Sequence, residues 1–215
     1  MSSANAPLRA AAQLIDLEAA ETLDVLGPTV QIITPLTGDD RAPRLIRGTV
    51  PAGGVVPLHS HPEPETFVVL SGRMEGLVGY GEDPRWAVVE PGRALHVPGG
   101  VPHAWRNGSN EPVVNLVVTE ERLARFFREI ARPVSEQSAG QPAPADLERF
   151  AQAAARFGHW QAGPEENAAI GIDLSALAPL TRRSALVVEK RRRGLNVPRA
   201  ATFVQPWSSK NDDHG

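Results

Sequence analysis

GGVVPLHSHPEPETFVVLSG, residues 53–72, sets two histidines and two glutamates ahead of the apolar run Phe67 to Leu70. Side chains alternate along an extended strand, so His59 and His61 share a face, and Glu65, four positions on, keeps the same parity. Glu63 has that parity too and is the alternative carboxylate. Pro62 and Pro64 cannot donate ladder hydrogen bonds, which puts the segment at a sheet edge or a bulge.

Outward from this stretch, the chain between residues 28 and 118 alternates short β-branched runs with Gly, Pro, Asn and Asp. Strands are expected over 29–34, 43–50, 65–72, 74–80, 85–90, 94–98, 103–107 and 113–118, with turns at 81–84, 91–92 and 107–110. Eight short strands without helices between them fit a closed barrel or a two-sheet jelly roll, and not a parallel α/β sheet.

Four of the six histidines, His59, His61, His96 and His103, fall inside this β region. His103 follows the turn Pro98-Gly99-Gly100-Val101-Pro102, which can aim it back at His59 and His61. Three imidazoles with a carboxylate suit one divalent ion of Fe, Mn, Ni, Zn or Cu. Ca²⁺ prefers oxygen throughout, and Cu(I) prefers sulfur. Four protein ligands leave open positions for water, O₂ or a bidentate substrate.

The spacing of these residues resembles a known family. Gly53, five residues, His59-x-His61, three residues, Glu65, six residues and Gly72 look like the first cupin motif. PGRALHVPGGVPHAWRN (91–107) resembles the second, with Gly92, Pro98-x-Gly100, His103 and Asn107 in place. The resemblance implies an all-β fold, a cupin-type jelly-roll β-barrel, with a metal held by His59, His61, Glu65 and His103. Its spacing favours Glu65 over Glu63 and leaves Glu63 exposed. Glu63, Tyr80 and His96 are candidates for contacts around the ligands; His96 otherwise reads as a hydrogen-bonded histidine of the barrel, and Tyr80 as pocket wall with a hydroxyl to donate. Gly72 and Gly92 are expected to supply turn conformations and Gly100 a close backbone approach. LGPTVQIIT (26–34), ERLARFFREIARP (121–133) and LERFAQAAARFG (147–158) also resemble single-domain bacterial cupins of the quercetin-dioxygenase-like group.

At residue 119 the period changes. Leu123, Phe126, Phe127 and Ile130 form one stripe of a helix over 119–132, with Thr119 as its N-cap, Glu120 and Glu121 in the first turn and Pro133 as its stop. After a linker over 134–145, a second helix carries Leu147, Phe150, Ala151, Ala154 and Phe157 on one face and ends at Gly158. These helices are expected to cover a barrel edge or a subunit contact. The division is then an N-terminal segment (1–27), the barrel (28–118) and a C-terminal α-helical extension with a polar tail (119–215). Leu186 to Glu189 fits a strand or a helix, and the basic run Lys190 to Arg193 a solvated face.

Composition narrows the function classes. With no cysteine among 215 residues, disulfides, thiolate metal sites and cysteine nucleophiles are excluded. Lys and Arg number 22 against 25 Asp and Glu, a net charge of −3 that offers no general attraction to nucleic acid or an anionic membrane. Asp16, Glu18 and Glu21 interrupt the stretch where a secretory peptide needs an apolar run, so a cytoplasmic protein is expected. The expectation is a metal-dependent, dioxygenase-type enzyme acting as a homodimer on an enolic or phenolic small molecule. The alternatives are a metal-dependent isomerase or lyase, and a non-catalytic small-molecule sensor.

Overall fold

The computed structural model describes residues 12–81, 83–134 and 142–174; Leu186 to Arg193, the polar tail and most of the expected linker lie outside them. Two antiparallel sheets pack over one core. The first is seven-stranded in the order β11-β1-β2-β3-β10-β5-β8: β1 Leu23–Asp24, β2 Thr29–Ile32, β3 Pro43–Val50, β5 Glu65–Ser71, β8 Ala94–Val97, β10 Val113–Glu120 and β11 Arg132–Pro133. The second is five-stranded in the order β12-β4-β9-β6-β7: β4 Val55–Ser60, β6 Met74–Val78, β7 Arg85–Val89, β9 His103–Arg106 and β12 Trp160–Gln161. This is the expected jelly roll, as two sheets.

Strand β3 shows how the sequence builds a sheet. Arg44, Ile46, Gly48 and Val50 alternate inward while Leu45, Arg47 and Thr49 face out, and all eight residues pair with β10, from Pro43 opposite Glu120 to Val50 opposite Val113. Ile46, Val50, Phe67, Val69 and Val97 of the first sheet meet Met74, Val89 and Trp105 of the second in a single buried cluster. The outer face of the five-stranded sheet is not left to solvent. Leu58, Leu77 and Ala104 on it are covered by Trp160, Ile170 and Ile172.

Both expected helices form, with changes at their starts: the second begins at Pro144, inside the expected linker, and buries Ala153, which the expected stripe omits. Helix α1 spans Glu121–Ile130, and Thr119 is the penultimate residue of β10, its hydroxyl donating to the Pro64 carbonyl at 2.8 Å, so Thr119 is no N-cap. Glu120 occupies that position without a side-chain cap bond. Helix α2, Pro144–Phe157, ends at Gly158, whose φ of 72° is the left-handed conformation that glycine adopts without steric cost. Leu123, Phe126 and Ile130 of α1 pack on Ala153 and Ala154 of α2. The short helix α3, Pro164–Ala169, is tied to β4 by the Leu58 N–H, which donates to Asn167 Oδ1 at 2.9 Å. Among the described residues no helix is long and apolar enough to cross a membrane.

Candidate metal centre

His59 and His103 face each other across the β4/β9 ladder, directly in register. The register slips between Val56 and His59, around Pro57, which has no N–H to pair. β4 ends at Ser60, so His61 stands in the turn that follows, and Glu65 opens β5 in the opposite sheet. His59, His61 and Glu65 therefore do not share one strand face, which a parity reading of 59–65 expects. The prolines take the chain from one sheet to the other, and His61 and Glu65 meet His59 and His103 from across the sandwich. The Gly100 N–H donates to the His61 carbonyl at 2.7 Å and ties the two loops together. Gly99 makes the close approach, since a Cβ there would lie 2.0 Å from the Pro62 carbonyl oxygen, whereas Gly100 has open space and a φ of +81°. The role expected of Gly100 thus divides between two neighbours.

One potential ligand atom from each of His59, His61 and His103 lies within 4.8 Å of the others. Ring hydrogen bonds fix which nitrogens face inward. Nδ1 of His59 donates to the Pro57 carbonyl and Nδ1 of His103 to the Val101 carbonyl, both at 2.8 Å. A carbonyl only accepts, so each Nδ1 keeps its proton and, in the neutral ring, each Nε2 carries a lone pair. Glu65 Oε2 lies 3.2 Å from Nε2 of both His61 and His103. His103 Nε2 is buried and has no hydrogen-bond partner. Lone pairs and a carboxylate converging in a dry site require a cation among them, either protons or a metal. The donor set fits a divalent transition ion.

Electrostatics follow from the same geometry. Burial, reinforced by the charges of His103 and His61, lowers the His59 pKa well below its ordinary value. Burial opposes charge on His61 too, but the carboxylates of Glu63 and Glu65 outweigh it and raise the pKa to about 9. Burial works against ionisation of Glu65 as well, and the His103 and His61 rings beside it outweigh burial, holding the carboxyl well below the usual range.

Glu63 is buried, at 2% exposure, and the expectation that it faces solvent is wrong. Arg122 on α1 forms an ion pair with its Oε1, while Oε2 lies 3.5 Å from His61 Nδ1 and 3.9 Å from His159 Nε2. Despite burial, its pKa is drawn down to about 2 by His61, the backbone and Arg122. His159, just past Gly158, packs its ring 5.1 Å from that of His61 and 4.0 Å from that of Phe126. Neither His159 nor Arg122 was identifiable beforehand, because both belong to the helical part of the chain and share no spacing with the histidine motif. His96 is the converse case. Leu95 and Val97 point inward on β8, so His96 points out, exposed and hydrogen-bonded to Thr66 at 2.9 Å, the hydrogen-bonded histidine expected there. Tyr80 lines a cavity of about 150 Å³ with Leu77, Leu95, Val97, Pro98 and His103.

Residues 46–119, the span that carries this cluster, match the family model described as Cupin domain. The match takes in 74 of the 215 residues. Solved structures similar to the chain include the Cupin_2 domain of an XRE family transcriptional regulator from Enterobacter cloacae, at 23% identity over 44% of this chain and 96% of that one, with a TM-score of 0.37. KdgF from Halomonas sp. aligns at 17% identity over 51% of this chain and 94% of that one, TM-score 0.43. An uncharacterized conserved protein with a double-stranded beta-helix domain from Klebsiella pneumoniae aligns at 17% identity over 51% and 90%, TM-score 0.41. No curated protein matches the chain.

Proposed function

We propose that His59, His61, His103 and Glu65 of this cupin domain hold one divalent metal ion and that the protein is an oxidoreductase of the dioxygenase type. Its substrate is a small enolic or phenolic molecule. The observation that carries the reading is the commitment of the His59 and His103 Nδ1 protons to the Pro57 and Val101 carbonyls, which leaves both Nε2 lone pairs to the cluster, that of His103 at 3.2 Å from Glu65. A bound ion supplies Lewis acidity towards a substrate oxygen and a redox couple for O₂. The chain supplies the rest. Glu65 offsets part of the metal's charge, the strands exclude water, and the cavity beside His103 takes the organic part of the substrate against Leu95 and Val97. The same reading has the protein act as a cytoplasmic homodimer that binds neither nucleic acid nor membrane.

Elemental analysis of the purified protein, followed by O₂ uptake with flavonols, β-diketones and catechols, tests the proposal. Metal-dependent uptake is expected with at least one class. Stoichiometric metal without uptake, together with tight binding of the same compounds, overturns the enzyme in favour of a sensor.

A further inference from the structure

Each of the three histidines of the centre has its second ring nitrogen engaged, but not alike. His59 and His103 give theirs to backbone carbonyls, which are neutral. His61 alone turns its Nδ1 towards a carboxylate, that of Glu63, at 3.5 Å. Its Nε2 faces Glu65 at 3.2 Å, so the ring stands between two acidic groups on opposite nitrogens. His61 Nδ1 and Glu63 Oε2 are both buried and make no hydrogen bond elsewhere; His159 Nε2 stands 3.9 Å from the same Glu63 oxygen.

Glu63 is held from the far side by the helices and not by the sheets. Its Oε1 is paired with Arg122 of α1, and the same guanidinium donates to the Phe157 carbonyl at the end of α2 at 2.6 Å. His159, anchored by its N–H to the Ala154 carbonyl at 2.9 Å, lays its ring against His61 and closes the space behind it. A loop carboxylate with a free rotamer would turn to water; this one has no water to turn to.

We infer that Glu63 is a positioning residue of the metal centre, and that the helical part of the chain, through Arg122 and His159, holds it against His61. The inference rests on the metal reading above. A carboxylate behind a ligating imidazole fixes the ring and strengthens its donor nitrogen, and loss of such a group typically costs about 10–100-fold in metal affinity. His61 is therefore the strongest donor of the three, and the helices, which contribute no ligand, set the affinity of the site.

The test is a titration of Co(II) into the metal-stripped full-length protein, read by the visible d–d band. Glu63→Ala is expected to weaken binding about 10–100-fold, and Glu63→Gln and Arg122→Gln to weaken it less. At saturation the Glu63→Ala band keeps its wild-type intensity, because no ligand is lost, and shifts in energy. Unchanged affinity in Glu63→Ala overturns the inference and leaves the metal reading standing. A saturated intensity altered as in His61→Ala also overturns it, since Glu63 is then itself a ligand. Wild-type protein that develops no band removes the metal reading, and the inference falls with it. If Glu63→Ala does not fold, Arg122→Gln decides, because that side chain is 29% exposed and can be replaced at the surface; wild-type affinity in it overturns the inference.

Discussion

Arg44 and Glu121 form an ion pair with side chains 6% and 1% exposed, joining β3 to the first residue of α1. Glu121 also accepts from the backbone N–H of Thr37 at 2.7 Å and of Gly38 at 2.6 Å. Burial resists its charge, but those N–H groups and Arg44 outweigh burial and lower the pKa to about 2 from an ordinary 4.5. A folded-state pKa below the unfolded one stabilises the fold fully above about pH 4.5, and that contribution is lost as the pH falls towards 2. Thermal unfolding followed from pH 7 to pH 2 is expected to show this loss. Glu121→Gln is less stable at pH 7, with a flatter profile below pH 5; a variant with the wild-type slope shows that other carboxylates control acid unfolding.

Metal binding is expected to release a proton at neutral pH. In the metal-free protein the two carboxylates raise the His61 pKa to about 9, so the ring is charged at pH 7 and a metal must displace that proton. The apparent dissociation constant then falls about tenfold per pH unit between pH 7 and pH 9 and levels off above. His59, depressed by burial, is neutral throughout this range and adds nothing to the slope. A flat profile over pH 7–9 removes His61 from the ligand set.

The same shift has the opposite sign for the stability of the metal-free fold. A raised histidine pKa stabilises fully below about pH 6.5, and the contribution disappears as the pH rises through about 9. Metal-stripped protein should therefore melt at a lower temperature at pH 9 than at pH 7, and saturating metal should flatten the difference.

Loss of a single ligand is expected to empty the site without unfolding the sheets, whose core is apolar and independent of it. His59→Ala and His103→Ala should purify with most of the metal gone and with wild-type circular dichroism. Glu65→Gln should lose less, because the amide oxygen still coordinates. Full metal stoichiometry in either alanine variant strikes that residue from the set.

Asn167 is fully buried, takes the Leu58 N–H at 2.9 Å and donates to the Ala162 and Gly163 carbonyls. Asn167→Ala removes the side-chain partners of the Leu58 N–H and the Ala162 carbonyl beside β4 and should cost about 1–3 kcal/mol in denaturant unfolding. A change within a few tenths of a kcal/mol would mean that water replaces the amide.

The sheets were legible because their signal is local. β3 spans the expected residues, since period-2 alternation over Arg44 to Val50 needs only the strand itself. β4 was not recognised as a separate strand, because Pro57 interrupts its pattern and the histidines that follow suggest one continuous face. The identities of the clustered residues survived that error, since His59, His61, Glu65 and His103 converge by crossing between sheets and not by alternation. Glu63 and His159 were misread or missed for a different reason. Whether a glutamate beside two prolines is wet or dry depends on a helix some sixty residues later, and no periodicity in the chain encodes that contact.

The pairing of Trp160 with Ser60 and the contact of His159 with His61 have a consequence for the order in which the protein is made. At about 5–20 residues per second on the ribosome, the His61 segment emerges roughly 5–20 s before the residues that back it. Through that interval the nascent chain can pair its sheets, but the imidazole has no wall behind it. The cluster is thus among the last parts of the described chain to be finished, and on the metal reading an ion taken up earlier would be held by a half-built site.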